Sequence, residues 1–156
     1  NAMTHLYQNC ISALADMDVQ VVISTGNLVS IEALGRLPEN ISVFPHVDQI
    51  AVLQKADVFL SHCGMNSVSE SLYFGVPLVM LPQTAEQKGV AARVRELGAG
   101  VMLDQTDADS IRHAIDTLLS DNAYRKNAAQ ISHGFKTCTG AKGAAQKILQ
   151  VCKNAV

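Results

Sequence analysis

Short apolar runs separated by longer stretches of helical spacing set the pattern of this chain. Five runs, residues 20–24, 41–44, 57–61, 77–81 and 100–103, are apolar and β-branched enough to read as strands buried on both faces. Between them, residues 5–16 place Leu6, Cys10, Ala13 and Leu14 on one stripe, and Ile50, Val52, Leu53 and Ala56 mark a shorter helix. Helical patterns also cover residues 67–74, 85–97, 107–119 and 141–151. Strands alternating with helix-length inserts imply right-handed parallel crossovers, hence an α/β fold with a doubly wound parallel sheet. After Leu103 the pattern turns wholly helical, which predicts a helical C-terminal tail. Gly75-Val76-Pro77 and Gly98-Ala99-Gly100 supply helix stops, and Asp107 and Asp109 stand where an N-cap or first-turn anion helps the next helix.

Composition narrows the picture. The chain has 156 residues, 48% hydrophobic and 17% charged, enough for one self-standing core. Asn1-Ala2 before Met3 reads as a scar of tag removal, which leaves residues 3–156 as a single domain. Twelve Lys and Arg against fourteen Asp and Glu leave no basic footprint, so no nucleic-acid partner is expected. No apolar run approaches the roughly 20 residues of a membrane crossing, and no secretory signal is present. Cys10, Cys63, Cys138 and Cys152 form no Cys-x-x-Cys pair, which fits a reducing compartment and a cytoplasmic location.

Residues 57–70 carry the most chemical information: a buried strand, a short polar turn with glycine, then a helix start. At the carboxyl end of a parallel strand, the unpaired amides of a helix N-terminus favour a phosphate. Gly64 allows close backbone approach, Asn66 and Ser67 add short donors, and His62 can donate from a ring nitrogen. The stretch is neither a Walker loop nor Gly-x-Gly-x-x-Gly. Each residue also has a plainer reading. Ser67-Val-Ser-Glu70 has the spacing of a capping box, His62 that of a packed strand-end histidine, and Gly64 that of a turn glycine.

Read whole, Phe59-Leu-Ser-His-Cys-Gly-Met-Asn-Ser-Val-Ser-Glu70, then Gly75-Val-Pro77, then Leu81-Pro-Gln-Thr-Ala-Glu-Gln87 resembles the donor-binding signature of the UDP-glycosyltransferase family, nearest its bacterial macrolide branch. The similarity takes in Leu37-Pro-Glu-Asn-Ile-Ser-Val43 and residues 49–56, and runs through Glu96-Leu-Gly98. It implies the C-terminal, Rossmann-like half of the glycosyltransferase B fold. It further implies that His62, Gly64, Asn66 and Ser67 hold the diphosphate of a UDP-sugar and that Glu70 takes the ribose hydroxyls. Glu86 and Gln87 match the pair that holds hydroxyls of the transferred sugar; their plainer reading is an exposed helix N-terminus. His46, Val47 and Gln49 match the base-binding segment. There the family usually has a stacking Trp where this chain has His46, and a Pro where it has Asp48. The Asp48 carboxylate would either repel the diphosphate or pair with a base amide, and Phe44-Pro45-His46 also reads as a plain strand-to-loop turn.

The resemblance also says what is missing. The family's acceptor pocket and its histidine base lie in an N-terminal half that this chain lacks, so no catalytic residue is assigned and a small-molecule acceptor is expected to bind elsewhere. No metal or other cofactor is expected; Asp107-Ala-Asp109 has the letters of a metal motif but the place of a helix start. The family's half usually opens with a strand before the helix at 5–16. Its absence would leave an open edge inside the sheet, which predicts self-association or a rearranged sheet. Two further readings stand beside the donor domain of a hexosyltransferase: a naturally separate donor-binding subunit of a two-chain N-acetylglucosaminyltransferase, and a non-catalytic nucleotide-binding or interaction module.

Overall fold

The computed structural model describes residues 2–27 and 29–154, so Asn1 of the expected scar lies outside it. In chain order the elements are α1 (Ala2–Leu14), β1 (Val21–Ser24), a 3-10 turn (Ile31–Leu34), β2 (Ile41–Phe44), α2 (Gln49–Leu53), β3 (Phe59–Ser61), α3 (Met65–Tyr73), β4 (Leu78–Met80), α4 (Ala85–Glu96), β5 (Gly100–Met102), α5 (Ala108–Ser120), α6 (Asn122–Thr137) and α7 (Gly140–Asn154). All five expected strands are present, four of them trimmed by a residue or two. The glycine stops hold: Gly75 and Gly98 take φ of 73° and 64°, left-handed values that end α3 and α4 at little steric cost. Asp107 caps α5, accepting from the Ser110 amide at 2.9 Å and its hydroxyl at 2.7 Å, bonds that hold its carboxyl below the usual carboxylate range.

Every strand pairing is parallel. β1 pairs with β2, with Ser24 opposite Phe44, and β3–β4–β5 form a second sheet, with Ser61 opposite Met80 and Met80 opposite Met102. Among the described residues no ladder joins the two sheets. What bridges the break is the core. Ile23, Ile41 and Val43 from one sheet and Val79 from the other share a cluster with Cys10, Ala13 and Leu14 of α1 and Ile111, Ile115 and Leu118 of α5. On the opposite face of the three-stranded sheet, Leu78 and Met80 pack with Val68 and Leu72 of α3, Ala91 and Val94 of α4 and Ala128 of α6. Alternate residues of β4 thus feed two cores, the signature of a doubly wound sheet.

Three expectations are corrected. β1 and β2 are covered on one face only: Val22 and Phe44 stand 46% and 45% exposed because α1 covers the side of Ile23 and Val43 while nothing described covers the other. The residue pattern does not separate α6 from the helical tail. It buries only Ala128 and Ser132, which give almost no apolar periodicity. Its docking is polar instead, since Ser132 Oγ donates to the Tyr73 carbonyl at 2.5 Å and Asn127 Nδ2 to the Gly98 carbonyl at 3.0 Å. These bonds satisfy carbonyls that the ends of α3 and α4 leave open. Ala2 begins α1, so that helix starts earlier than residue 5.

Candidate donor-binding site

Parallel strands bring the loops that follow them to one edge, and the expected site residues sit in those loops. After β3 the chain turns sharply at Cys63, whose φ of 68° is rare for a residue with a side chain. The turn is locked from within: the Cys63 amide donates to Ser61 Oγ at 3.1 Å, and the Cys63 side chain is fully buried. Burial pushes the Cys63 thiol up to about 11, so it stays protonated and serves as packing. The reversal starts α3 at Met65 with Gly64 as its N-cap.

That start overturns the capping box expected at Ser67-Val-Ser-Glu70. Gly64 has no side chain to cap with, and Ser67 and Glu70 lie inside the helix, where they are free for other partners. By contrast, side chains of Ser30, Asp48, Thr84, Asp107 and Asp121 cap the helical segments that begin at Ile31, Gln49, Ala85, Ala108 and Asn122. The α3 N-terminus therefore keeps first-turn amides without a side-chain cap, together with the positive end of the helix dipole. His62, exposed, leans over this turn: a Cβ on Gly64 would stand 3.0 Å from His62 Nε2, so glycine is what lets the ring close on the helix start. Asn66 is exposed beside it.

The loop after β2 reaches the same place from the other sheet. Gln49 Nε2 donates to Glu70 Oε2 at 2.6 Å and to Ser67 Oγ at 3.3 Å. Gln49, expected at the base, thus joins the residues expected at the diphosphate and ribose. Asp48 caps α2, its Oδ1 accepting from the Ala51 amide at 3.1 Å. Val47 is half-buried between them. His46 lies exposed in the turn after β2, as the plain reading required, with its Nε2 3.0 Å from Asn27 Oδ1. Asn27 escaped the sequence reading, because nothing in its own segment signals a partner nineteen positions away.

Glu86 and Gln87 fall in the first turn of α4, as their plainer reading had it. Gln87 completes a capping box: its Oε1 accepts from the Thr84 amide at 3.1 Å and the Gln83 amide at 2.7 Å, while its own amide donates to Thr84 Oγ1 at 3.3 Å. Glu86 is exposed near the dipole. No hydrogen bond among the described residues ties either to the Gln49–Ser67–Glu70 cluster. Among the same residues no three His, Cys, Asp or Glu converge as metal ligands, and no helix is long and apolar enough to cross a membrane.

Helices on both faces of a parallel sheet, with an uncapped helix start and a polar cluster at its carboxyl edge, match the C-terminal, sugar-donor half of the glycosyltransferase B fold. Solved structures of that fold superpose closely. A glycosyltransferase of kitacinnamycin gives a TM-score of 0.85 at 33% identity, over 94% of this chain and 39% of its own. The calicheamicin glycosyltransferase CalG4 gives 0.85 at 31%, over 96% and 38%. Residues 8–150 match the erythromycin biosynthesis protein CIII-like C-terminal domain, and the chain belongs to that family. It is 39% identical over 150 residues to the NDP-glycosyltransferase YjiC of Bacillus subtilis, 95% of this chain but 38% of that protein. The chain therefore spans under two fifths of the curated relative's length.

Proposed function

We propose that this domain holds the UDP-sugar in a glycosyltransferase that moves a hexosyl group to a hydroxyl of a small lipophilic acceptor, in the cytoplasm. The observation that carries the reading is the α3 N-terminus, uncapped by any side chain and flanked by His62 and by the Gln49–Ser67–Glu70 cluster. The diphosphate lies on the first-turn amides, with His62, Asn66 and Ser67 as added donors. Glu70 accepts from the ribose hydroxyls, two bonds that a carboxylate can take at once, and Gln49 aims it beforehand. Glu86 and Gln87 face the sugar; the Gln87 side-chain Nε2, which donates to no group among the described residues, is turned to it while Oε1 keeps the capping box. His46, Val47 and Gln49 border the base.

In the reaction, the acceptor oxygen bonds to the anomeric carbon as that carbon's bond to the diphosphate oxygen breaks. The electron pair leaves with UDP. Fixed amides and His62 meet the charge that grows on the leaving oxygens, a preorganised electrostatic role that here needs no divalent cation. The acceptor and the base that takes its proton come from outside this chain. Titration calorimetry tests the donor site. UDP should bind the chain, and both His62→Ala and Glu70→Ala should weaken it by about 2 kcal/mol, the scale of a hydrogen bond to a charged group. Failure of UDP to bind, or equal binding by both variants, would overturn the assignment.

A further inference from the structure

The His46 imidazole, in the turn after β2, is held from the neighbouring strand. β1 and β2 run out in register, and the pairing continues past their ends: the Thr25 amide donates to the Phe44 carbonyl at 3.0 Å and the Gly26 amide to the Pro45 carbonyl at 2.9 Å. Gly26 then turns left-handed, φ 63°, which any side chain would resist. The turn sets Asn27 opposite His46, Oδ1 to Nε2 at 3.0 Å. An amide oxygen only accepts, so Nε2–H is the donor of this bond.

We infer that Asn27 is a positioning residue for the donor's nucleobase, fixing the plane and tautomer of His46 so that the ring offers a flat heterocycle a preformed stacking face. The inference rests on the reading of this site as one for a nucleoside diphosphate sugar. An exposed side chain gains little from stacking when binding must first order it, and a hydrogen bond from an adjacent loop removes that cost beforehand. An indole brings more contact area and depends less on such a brace. The smaller ring of this chain is thus made effective by being held still.

A double-mutant cycle tests the inference, with UDP and inorganic pyrophosphate as probes and Asn27→Ala, His46→Trp and their combination as variants. Asn27→Ala should weaken UDP roughly two- to tenfold, the worth of a well-placed ring contact, and leave pyrophosphate unchanged. In the His46→Trp background the same change should be silent. Long-range proton–nitrogen spectra should show His46 as the Nε2–H form in the unaltered chain and as a mixture in Asn27→Ala. Equal weakening of UDP in the His46→Trp background, or equal weakening of pyrophosphate, would overturn the inference, because Asn27 would then act on the turn or on the diphosphate. Absence of UDP binding by the unaltered chain would overturn the site itself and this inference with it.

Discussion

Two neighbouring strands of one sheet, β3 and β4, each lead through a short turn into a helix, and the two helix starts spend their amides in opposite ways. At α4 the chain satisfies itself: Thr84 and Gln87 exchange side-chain bonds with each other's backbone, and Gln87 also takes the Gln83 amide. At α3 the N-cap is Gly64, and no side chain among the described residues caps the first turn. The spacing Ser/Thr-x-x-Glu/Gln occurs at both, as Ser67-x-x-Glu70 and Thr84-x-x-Gln87. Only the second is used as a cap. The difference comes from where the helix begins, and at α3 that is set by the left-handed turn at buried Cys63. A closed helix start contributes stability; an open one keeps donors for a ligand.

Converting the open start into a closed one should produce the largest effect. Gly64→Asp puts a good cap at α3 and a negative charge where the diphosphate lies. Stability measured by thermal melting should hold or rise by a few tenths of a kcal/mol. UDP affinity should fall by more than about 2 kcal/mol, roughly thirtyfold. Retained affinity would break the comparison. Opening the closed start is the converse. Thr84→Ala should cost about 1 kcal/mol, a drop in Tm of about 2–4 °C, with UDP affinity unchanged. Gln87→Ala should cost similar stability and in addition weaken UDP-glucose relative to UDP. Equal losses for both ligands would reduce Gln87 to a cap.

The smallest effect on the site concerns the buried thiols, which test the claim that the Cys63 side chain serves as packing. Burial lifts both Cys10 and Cys63 from the ordinary 9.0 to about 11. The unfolded chain ionises first as pH rises, so the stabilisation is intact below pH 9.0 and is lost as pH climbs through about 11. The urea midpoint should decline across that window, less steeply in a Cys10→Ala/Cys63→Ala chain, with no change in UDP affinity at neutral pH. An identical decline in both chains would count against the assignment.

Much of this was legible from residue pattern. Apolar runs located the five strands, Gly75 and Gly98 ended two helices, and Asp107 announced α5, because each signal is local and has a single physical meaning. Where a local pattern admits two meanings it failed: Ser67-Val-Ser-Glu70 reads as a cap until Cys63 shows that the helix has already begun. Docking by Ser132 and Asn127 left α6 without an apolar stripe, and the bare face of Val22 and Phe44 is indistinguishable in sequence from a covered one. The site was half legible. Its residue types stood in one stretch, but the bonds Gln49–Glu70 and Asn27–His46 join segments about twenty positions apart and exist only once the strands align their loops.

The central claim, that α3 rather than α4 presents its amides to the donor, is open to one direct measurement: nitrogen-15 amide spectra recorded during titration with UDP. The account predicts large shifts at Met65, Asn66 and Ser67, with the Ala85, Glu86 and Gln87 amides nearly still. Shifts centred on the α4 start, or none at the α3 start while UDP binds, would contradict it.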